Sequence, residues 1–331
     1  MPVAAFQFIA VAEPRLTARL VRQSAGLDAT LVLDLEDALW DIDDEARTAQ
    51  LKAQGRRDFQ ALTITDPGLF ADQRVGVRVN RLNGVHAAAD LEALGEVARR
   101  LTLECVVVTK VESGADLDAW LAELDRHRVT HRGLVPIVET VAGLANLAVI
   151  LARAAELGIE WVVYGHYDHA LDAGWWPFLE LDSTDFWQLA QPIIEQVEGH
   201  GLRYVQPPFF QLHRPDRFAH VLTSLTRACR LSAGAITLGR QQTALAVEFD
   251  GSPIAPGSPD AGAARAITSE ELARRARHIV DTYSANRRAT ASFAIDGRSG
   301  EFISPHLYLA AQHYLGTLAL DDGDAFNATG E

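Results

Sequence analysis

The stretch YGHYDHALD, residues 164–172, holds two histidines, two tyrosines and two aspartates within nine positions. His166 and His169, three positions apart, raise the question of a zinc site. Such a site needs both histidines on one side of a helix, together with further His or Cys ligands. We expect this segment to pass from a strand into a loop, and no such ligand set is evident. The alternative is that Asp168 is the only residue of this stretch that binds a metal, partnered by Glu139, while His166 contacts substrate or donates a hydrogen bond to a metal-binding group.

Other polar residues follow short apolar runs elsewhere in the chain. They are Asp34, Glu36, Asp37, Arg78, Asn80, Lys110, Glu112 and Glu139. If the runs are strands of a barrel, residues at their carboxyl ends converge on one mouth. Converging carboxylates repel each other unless a cation or protons intervene. Oxygen ligands with few sulfur or imidazole partners favour Mg²⁺ or Mn²⁺, and we predict Glu139 and Asp168 as the ligand pair.

Each of these acids also has a simpler interpretation. An acid that follows a strand often caps a helix or lies in solvent. Asp34 could serve only to orient Arg78 or to cap a helix, and the aspartates of residues 41–44 resemble a solvated face. Taken together, Glu139, Asp168 and Arg78 favour a role in binding a metal and a substrate.

The elements that would position these residues are eight short apolar runs. We predict strands at Phe6–Val11, Ala29–Asp34, Val75–Val79, Cys105–Lys110, Leu134–Glu139, Trp161–Tyr164, Leu202–Val205 and Ala235–Leu238. Helical patterns lie between most of them, at Pro14–Ser24, Ala87–Arg100, Asp116–Arg126, Ala142–Leu157, Thr184–Glu198 and Pro215–Arg230. The interval 41–74 is less regular.

This alternation of strands and helices favours a parallel sheet, because most of the runs are continuously apolar, as in strands covered on both faces. Eight units predict an α/β fold, a (β/α)₈ TIM barrel with a C-terminal helical lid extension. A doubly wound sheet is the alternative, although no G-x-G-x-x-G follows the first strand.

The alternation of strands and helices ends near residue 245, and we assign residues 1–245 to a catalytic barrel domain. Residues 246–267, rich in Gly, Pro and Ala, predict a linker or loop. Residues 268–320 predict a helix capped by Thr268 or Ser269, then a short strand, a turn and a second helix. We expect residues 321–331 to form a flexible tail.

Composition excludes several classes of protein. The net charge is −14 and no basic cluster is present, so we expect no nucleic-acid partner. No run approaches the ~18 apolar residues of a membrane span, and the N-terminus lacks the features of a signal peptide. We expect Cys105 and Cys229, the only cysteines, to be free thiols of a cytoplasmic protein.

Five motifs stand in a specific order: LVLDLEDAL (31–39), VRVN (77–80), TKVES (109–113), PIVETVAGLANL (136–147) and YGHYDHALD (164–172). In this order the chain resembles the HpcH/HpaI aldolase/citrate lyase family, in its citrate lyase β-subunit-like branch. The resemblance covers most of residues 5–240 and resumes at 268–316. It implies a (β/α)₈ barrel, Mg²⁺, and cleavage or formation of a carbon–carbon bond in an organic acid or acyl-CoA substrate through an enolate.

The resemblance also implies roles for single residues. It places the metal on Glu139 and Asp168, the substrate carboxylate on Arg78, and the acids of the DLED motif near the metal. Asp296 of FAIDG matches an aspartate that, in related lyases, acts as acid or base in a neighbouring subunit, which implies a homo-oligomer, commonly a trimer or hexamer. We therefore expect four catalytic residues: Asp296, Arg78, Glu36 and Asp37. We expect the substrate to contact Arg78, Lys110 and His166.

The chain departs from the family pattern around the expected substrate. The end of strand eight reads ITLGRQQ, with Gly239 and Arg240 where the family often has His-Pro, which puts acyl-CoA recognition in question. Two alternatives to a metal-dependent lyase stay open. Lys110, one of only two lysines, could form a Schiff base if its pKa were lowered. The barrel could also be a non-catalytic, regulatory protein that binds dicarboxylates.

Overall fold

A computed structural model describes residues 3–11, 13–66, 68–251, 268–286 and 292–327. Eight parallel strands form a closed barrel in chain order, and the eighth pairs with the first. The strands are β1 (Ala4–Ala10), β2 (Ala29–Asp34), β3 (Arg74–Val79), β4 (Cys105–Val108), β5 (Leu134–Val138), β6 (Trp161–Tyr164), β7 (Arg203–Gln206) and β8 (Gly234–Thr237). The predicted TIM barrel is therefore confirmed, and the doubly wound alternative is wrong.

Continuous apolar runs form these strands because both faces of the sheet are buried. Side chains that alternate along the strands, such as Val107, Val135 and Val163, pack together in one cluster inside the barrel. The intervening side chains, such as Leu31 and Leu33, pack in a larger cluster between the sheet and the surrounding helices. Two apolar layers thus hold the strand ends, and the polar residues on them, in fixed positions.

The helices around the barrel follow the predicted pattern at most positions. They are α1 (Pro14–Gln23), α2 (Glu45–Thr65), α3 (Ala87–Ala98), α4 (Gly114–Arg126), α5 (Val141–Ala145), α6 (Leu147–Glu156), α7 (His166–Asp172), α8 (Thr184–Gly199), α9 (Pro215–Ala228) and α10 (Arg240–Glu248). The single helix predicted over 142–157 is two helices, α5 and α6, which meet at Asn146.

Helix α2 occupies most of the interval that the sequence left irregular. Its buried face carries Thr48, Lys52 and Asp58 beside apolar residues, so the apolar repeat is interrupted. The aspartates before it do not form one solvated face. Asp44 caps α2 by accepting a hydrogen bond from the backbone of Arg47, and Asp41 is buried.

The segment YGHYDHALD contains helix α7, so the expectation that it passes from strand to loop is wrong. The backbone amides that begin this helix lie at the barrel mouth, directly after β6. Asp168 is in the first turn, where the helix dipole stabilises a negative charge.

The C-terminal segment comprises α11 (Ser269–Asn286), the antiparallel strands β9 (Ala294–Ile295) and β10 (Phe302–Ile303), and α12 (Pro305–Asn327). Thr268 caps α11, and its hydroxyl accepts from the backbone of Glu271 while the Glu271 carboxylate accepts in return. This is the predicted capping box. Helices α11 and α12 share an apolar cluster with Ala170 of α7, which fixes the segment to the barrel.

The predicted linker and tail coincide only in part with described residues. Residues 246–248 belong to α10, and 252–267 lie outside the described ranges. Residues 321–327 continue α12, and 328–331 are also outside the described ranges. Among the helices in the described part of the chain, none has the length and apolar character needed to cross a membrane.

Candidate active site

Arg78 is a predicted site residue that neighbouring carboxylates hold in position at the barrel mouth. It stands beside Asp34 in the register of β3 against β2. Its Nε and Nη2 atoms donate to the two oxygens of Asp34 at 2.8 and 2.6 Å, and Nη1 donates to Asp37 at 2.9 Å. The Asp34 oxygens also accept from the backbone of Glu36 and Ala38. Asp34 therefore orients both Arg78 and the turn that carries Glu36 and Asp37.

The charges around Arg78 decide the protonation of this cluster. Burial would lower the pKa of Arg78, but Asp34, Asp37 and Glu36 raise it well above its usual value. Burial, together with the charge of Asp37, raises the pKa of Glu36 well above its usual value. Burial would also raise the pKa of Asp37, but Arg78 and His306 lower it. The turn thus combines one carboxyl that favours a proton with one that favours ionisation.

Glu139 follows β5 and is buried at the mouth. Its Oε1 accepts from the backbone N–H of Lys110 at 2.9 Å. Lys110 adopts a left-handed conformation, with φ of 54°, which turns its amide toward this carboxylate. Burial and the charge of Asp168 raise the pKa of Glu139 to about 8. A Cβ on Gly165 would lie 2.6 Å from Glu139 Oε2, so glycine leaves the space that this carboxylate occupies.

Asp168 is the second predicted metal ligand, and two cationic side chains contact it. Lys110 Nζ lies against its Oδ1, and His306 Nε2 lies 3.2 Å from its Oδ2. Burial would raise the pKa of Asp168, but the charge of His306, its hydrogen bond and Lys110 lower it. In return Asp168 and Asp37 raise the pKa of His306 to about 9, against the lowering effect of burial.

His306 is a site residue that was not predicted from the sequence. It stands at the start of α12, where it is buried against Trp40 with ring centroids 5.8 Å apart. One ligand atom each from Asp37, Asp168 and His306 lie within 4.8 Å of one another, a grouping that could hold a metal ion. The position of His306 in the chain, outside the eight strand–helix units of the barrel, does not predict that it reaches the barrel mouth. The signal available was the excess of acids at the mouth, which requires a further cation.

The donor set fits a divalent cation. Glu139 is buried and Asp168 is partly buried, and burial together with the charge of Asp168 raises the pKa of Glu139. The absence of a side chain at Gly165 leaves room for the Glu139 carboxylate. Oxygen donors from Glu139, Asp168 and Asp37 suit Mg²⁺ or Mn²⁺. The imidazole of His306 adds a nitrogen donor that the predicted pair did not include.

His166 and His169 point to a common partner, the Tyr164 hydroxyl, at 3.3 and 2.9 Å from their Nδ1 atoms. The second ring nitrogen of His166 lies 3.2 Å from the carbonyl oxygen of Leu179. Burial lowers the pKa of His166 to about 4. Both nitrogens of His166 thus have protein partners, and a substrate contact through either would displace one of them.

Asp296 lies in the turn between β9 and β10. It accepts from Ser299 Oγ at 2.6 Å, from the Arg298 backbone at 2.9 Å and from His278 Nε2 at 3.2 Å. The hydrogen bonds from Ser299 and Arg298 lower its pKa. Asp296 is not among the residues that line the cavity of its own chain at the barrel mouth. The structure therefore groups Arg78, Glu139 and Asp168 without Asp296.

A cavity of about 380 Å³ opens beside these acids. The C-terminal segment closes one side of it with Phe293, Ile295 and Phe302. Ser292 Oγ donates to the carbonyl oxygen of Asp37, which joins this segment directly to the turn after β2. The C-terminal segment thus covers the barrel of its own chain.

The altered end of β8 borders this cavity with an apolar surface. Leu238 lines it, and Gln242 donates to the Phe209 carbonyl while accepting from the Leu238 backbone. Arg240 is exposed and donates to the carbonyl oxygen of Gln23. The basic residue of this run therefore does not face the cavity.

The profile of the HpcH/HpaI aldolase/citrate lyase family matches residues 5–177, just over half of the chain. The chain belongs to this family. The match includes β1–β6 with Arg78, Glu139 and Asp168, and it ends before the C-terminal segment that carries His306. Comparison with curated protein sequences returns no match.

Solved structures of the same fold include RipC from Yersinia pestis, 20% identical, with a TM-score of 0.55 over 76% of this chain and 96% of that chain. CitE from Mycobacterium tuberculosis with magnesium and acetoacetate is 18% identical, with a TM-score of 0.54 over 74% and 89% of the two chains. The same protein with magnesium, acetoacetate and coenzyme A is 17% identical, with a TM-score of 0.53 over 96% and 98%. At these identities the likeness establishes the fold.

Proposed function

We propose that this protein is a metal-dependent carbon–carbon lyase or aldolase that cleaves or forms a hydroxy acid, or its acyl-CoA thioester, through an enolate. One observation carries the proposal. Two carboxylates, the buried Glu139 and the partly buried Asp168, line the cavity at the barrel mouth together with Arg78, an arginine that can hold a substrate carboxylate. Family membership supports this assignment, and the CitE neighbours were solved with magnesium and small organic acids.

The chain's own residues define what the site can do. Glu139 and Asp168 would hold Mg²⁺ or Mn²⁺. One ligand atom each from Asp37 and His306 also lies within 4.8 Å of one from Asp168. When bound, the metal would lower the pKa of a substrate hydroxyl. Arg78, held rigidly by Asp34, presents a guanidinium whose charge suits the substrate carboxylate.

In this proposal, Glu36 and Asp296 carry out proton transfer. Glu36, whose pKa is raised well above its usual value by burial and by the charge of Asp37, could exchange a proton with the substrate hydroxyl. Asp296 remains our proposal for an acid that protonates the enolate carbon in a neighbouring subunit, which requires a homo-oligomer such as a trimer or hexamer. Light scattering that finds only monomers would contradict this part. The two buried free thiols support a cytoplasmic location.

The test is Mg²⁺-dependent release of pyruvate or an acetyl product from a panel of malyl- and citramalyl-type acids and thioesters. Asp168→Asn should lower kcat/KM at least about 100-fold, because a metal supplies several kcal/mol to such a transition state. Asp118→Asn, at an exposed aspartate of α4, is the matched control and should retain activity. Full activity in Asp168→Asn would refute the proposal.

Two alternatives to the metal-dependent lyase make different predictions. The Schiff-base hypothesis needs a lysine with a lowered pKa. Burial would lower the pKa of Lys110, but Glu139 and Asp168 raise it, which does not favour a Schiff base. A non-catalytic binding barrel would bind dicarboxylates in calorimetry and turn over no member of the panel.

A further inference from the structure

The cavity beside the acids has two chemically different sides. The acids and Arg78 belong to β2, β3, β5 and β6 or to the residues directly after them. The opposite side is formed by β7, β8 and β1, which are neighbours in the closed barrel. Apart from Glu13, which follows β1, the lining residues of this side are mainly apolar, among them Phe8, Pro207, Pro208, Ile236 and Leu238.

The C-terminal segment extends this apolar side. Phe210 stacks on Tyr167 with centroids 4.2 Å apart, contacts Phe302 at 5.1 Å, and Phe302 stacks on Phe293 at 4.6 Å. The Tyr167 hydroxyl donates to the Pro208 carbonyl oxygen, so its polar atom is already bonded. A continuous series of aromatic rings therefore borders the cavity.

Several of these apolar side chains are only partly buried although they face an enclosed space. Phe8, Phe210, Phe302 and Leu238 fall in this class, and Leu16 at the rim is 40% exposed. Apolar surface left in contact with water is unfavourable, and a ligand that covers it gains that free energy. Apolar side chains that line one cavity together and stay accessible to solvent indicate a binding surface.

The charges of the lining argue against a phosphate-bearing group on this side. Among the described lining residues Arg78 is the one arginine, and there is no lysine. Arg78 lies with Asp34, Glu36 and Asp37 on the acid side of the cavity. The remaining charged group away from the acid cluster is Glu13, which would repel a phosphate. Phosphate recognition normally uses arginine, lysine or helix N-termini.

From these observations we propose that the substrate is an acid with an extended apolar side chain, alkyl or aryl, which fills the space between β7, β8, β1 and the C-terminal segment. The inference rests on the proposed function for the position of the carboxylate end, at Arg78 and the acids. A volume of about 380 Å³ lies in the range of small-molecule sites and exceeds what a short hydroxy acid needs.

The experiment is calorimetric binding of straight-chain α-keto acids, from pyruvate upward, to the full chain in the presence of Mg²⁺. Each buried methylene should lower Kd about fourfold until the cavity is filled. An α,ω-dicarboxylic keto acid of matched length should bind more weakly than the monocarboxylic acid, because its second carboxylate meets the apolar side. Coenzyme A should not compete with the longest ligand.

Variants locate the effect. Leu238→Asn should flatten the dependence of Kd on chain length, and Leu16→Asn, at the exposed rim, should do so without risk to the core. Leu231→Asn is the matched control, at a leucine that is 38% exposed and does not line the cavity. Kd values independent of chain length, tighter binding of the dicarboxylate, competition by coenzyme A, or no binding at all would each overturn the inference. Length-dependent binding without turnover of any hydroxy acid would uphold it and refute the proposed function.

Discussion

His306 makes the stability of the metal-free protein depend on pH in a direction that can be measured. Its imidazole faces Asp168, Asp37 and Lys110 in a buried setting. Burial lowers its pKa, but the two aspartates outweigh burial and raise the value from 6.5 to about 9. Between these values His306 is protonated in the folded chain and neutral in the unfolded chain. The stabilisation is therefore complete below pH 6.5 and is lost as the pH rises through 9.

The size of this effect follows from the shift. Each pKa unit corresponds to about 1.4 kcal/mol, so the loss is on the order of 3 kcal/mol. For a chain of this length that change lowers Tm by about 4 °C. Glu139, whose pKa rises to about 8, gives a slope of the same sign below that pH. The difference in Tm between the native chain and a His306→Gln variant, compared across pH, isolates the contribution of the histidine.

The assay is thermal unfolding in the presence of a chelator, from about pH 6 to about pH 9.5. The native chain should lose Tm across this interval more steeply than His306→Gln, and the two curves should converge at the alkaline end. His278→Gln is the control, because His278 also contacts an aspartate but is 51% exposed, where solvent screens the contact. Parallel curves for the native chain and His306→Gln would refute the role assigned to the Asp168 contact.

Three further predictions follow from the site. Gly165→Ala places a methyl 2.4 Å from Glu139 Cβ and should weaken metal binding at least about tenfold in calorimetry, whereas Gly199→Ala, with no neighbour within 4 Å, should not. Arg78→Met leaves a buried carboxylate unpaired and should cost about 3–5 kcal/mol in urea unfolding; a loss below about 1 kcal/mol would contradict this. Borohydride with pyruvate should leave Lys110 unmodified by mass spectrometry, and an adduct would show that its pKa is not raised.

The barrel and the position of its mouth could be predicted because their signals are local. Continuous apolar runs mark strands buried on both faces, and residues such as Glu139 mark the ends of those runs. Helix α2 escaped prediction because polar side chains, among them Lys52, occupy its inner face. Lys52 Nζ donates to the Glu36 carbonyl oxygen, a tertiary contact that no periodicity can reveal.

The predicted site residues Arg78, Glu139 and Asp168 do meet at the mouth, because parallel strands in a barrel present their carboxyl ends at one edge. His306 could not be found this way, since it comes from a helix outside the barrel. The metal, the individual catalytic roles and the contribution of Asp296 to a neighbouring subunit remain predictions.

The closure of the C-terminal segment over its own barrel has a consequence for how metal affinity depends on protein concentration. His306 and Asp168 are parts of one chain, so their encounter is intramolecular and its effective concentration is set by the fold. A site that borrowed this histidine from another molecule would lose it as the protein is diluted. Here the imidazole stays in place at any protein concentration, and metal affinity measured at nanomolar and micromolar protein should agree.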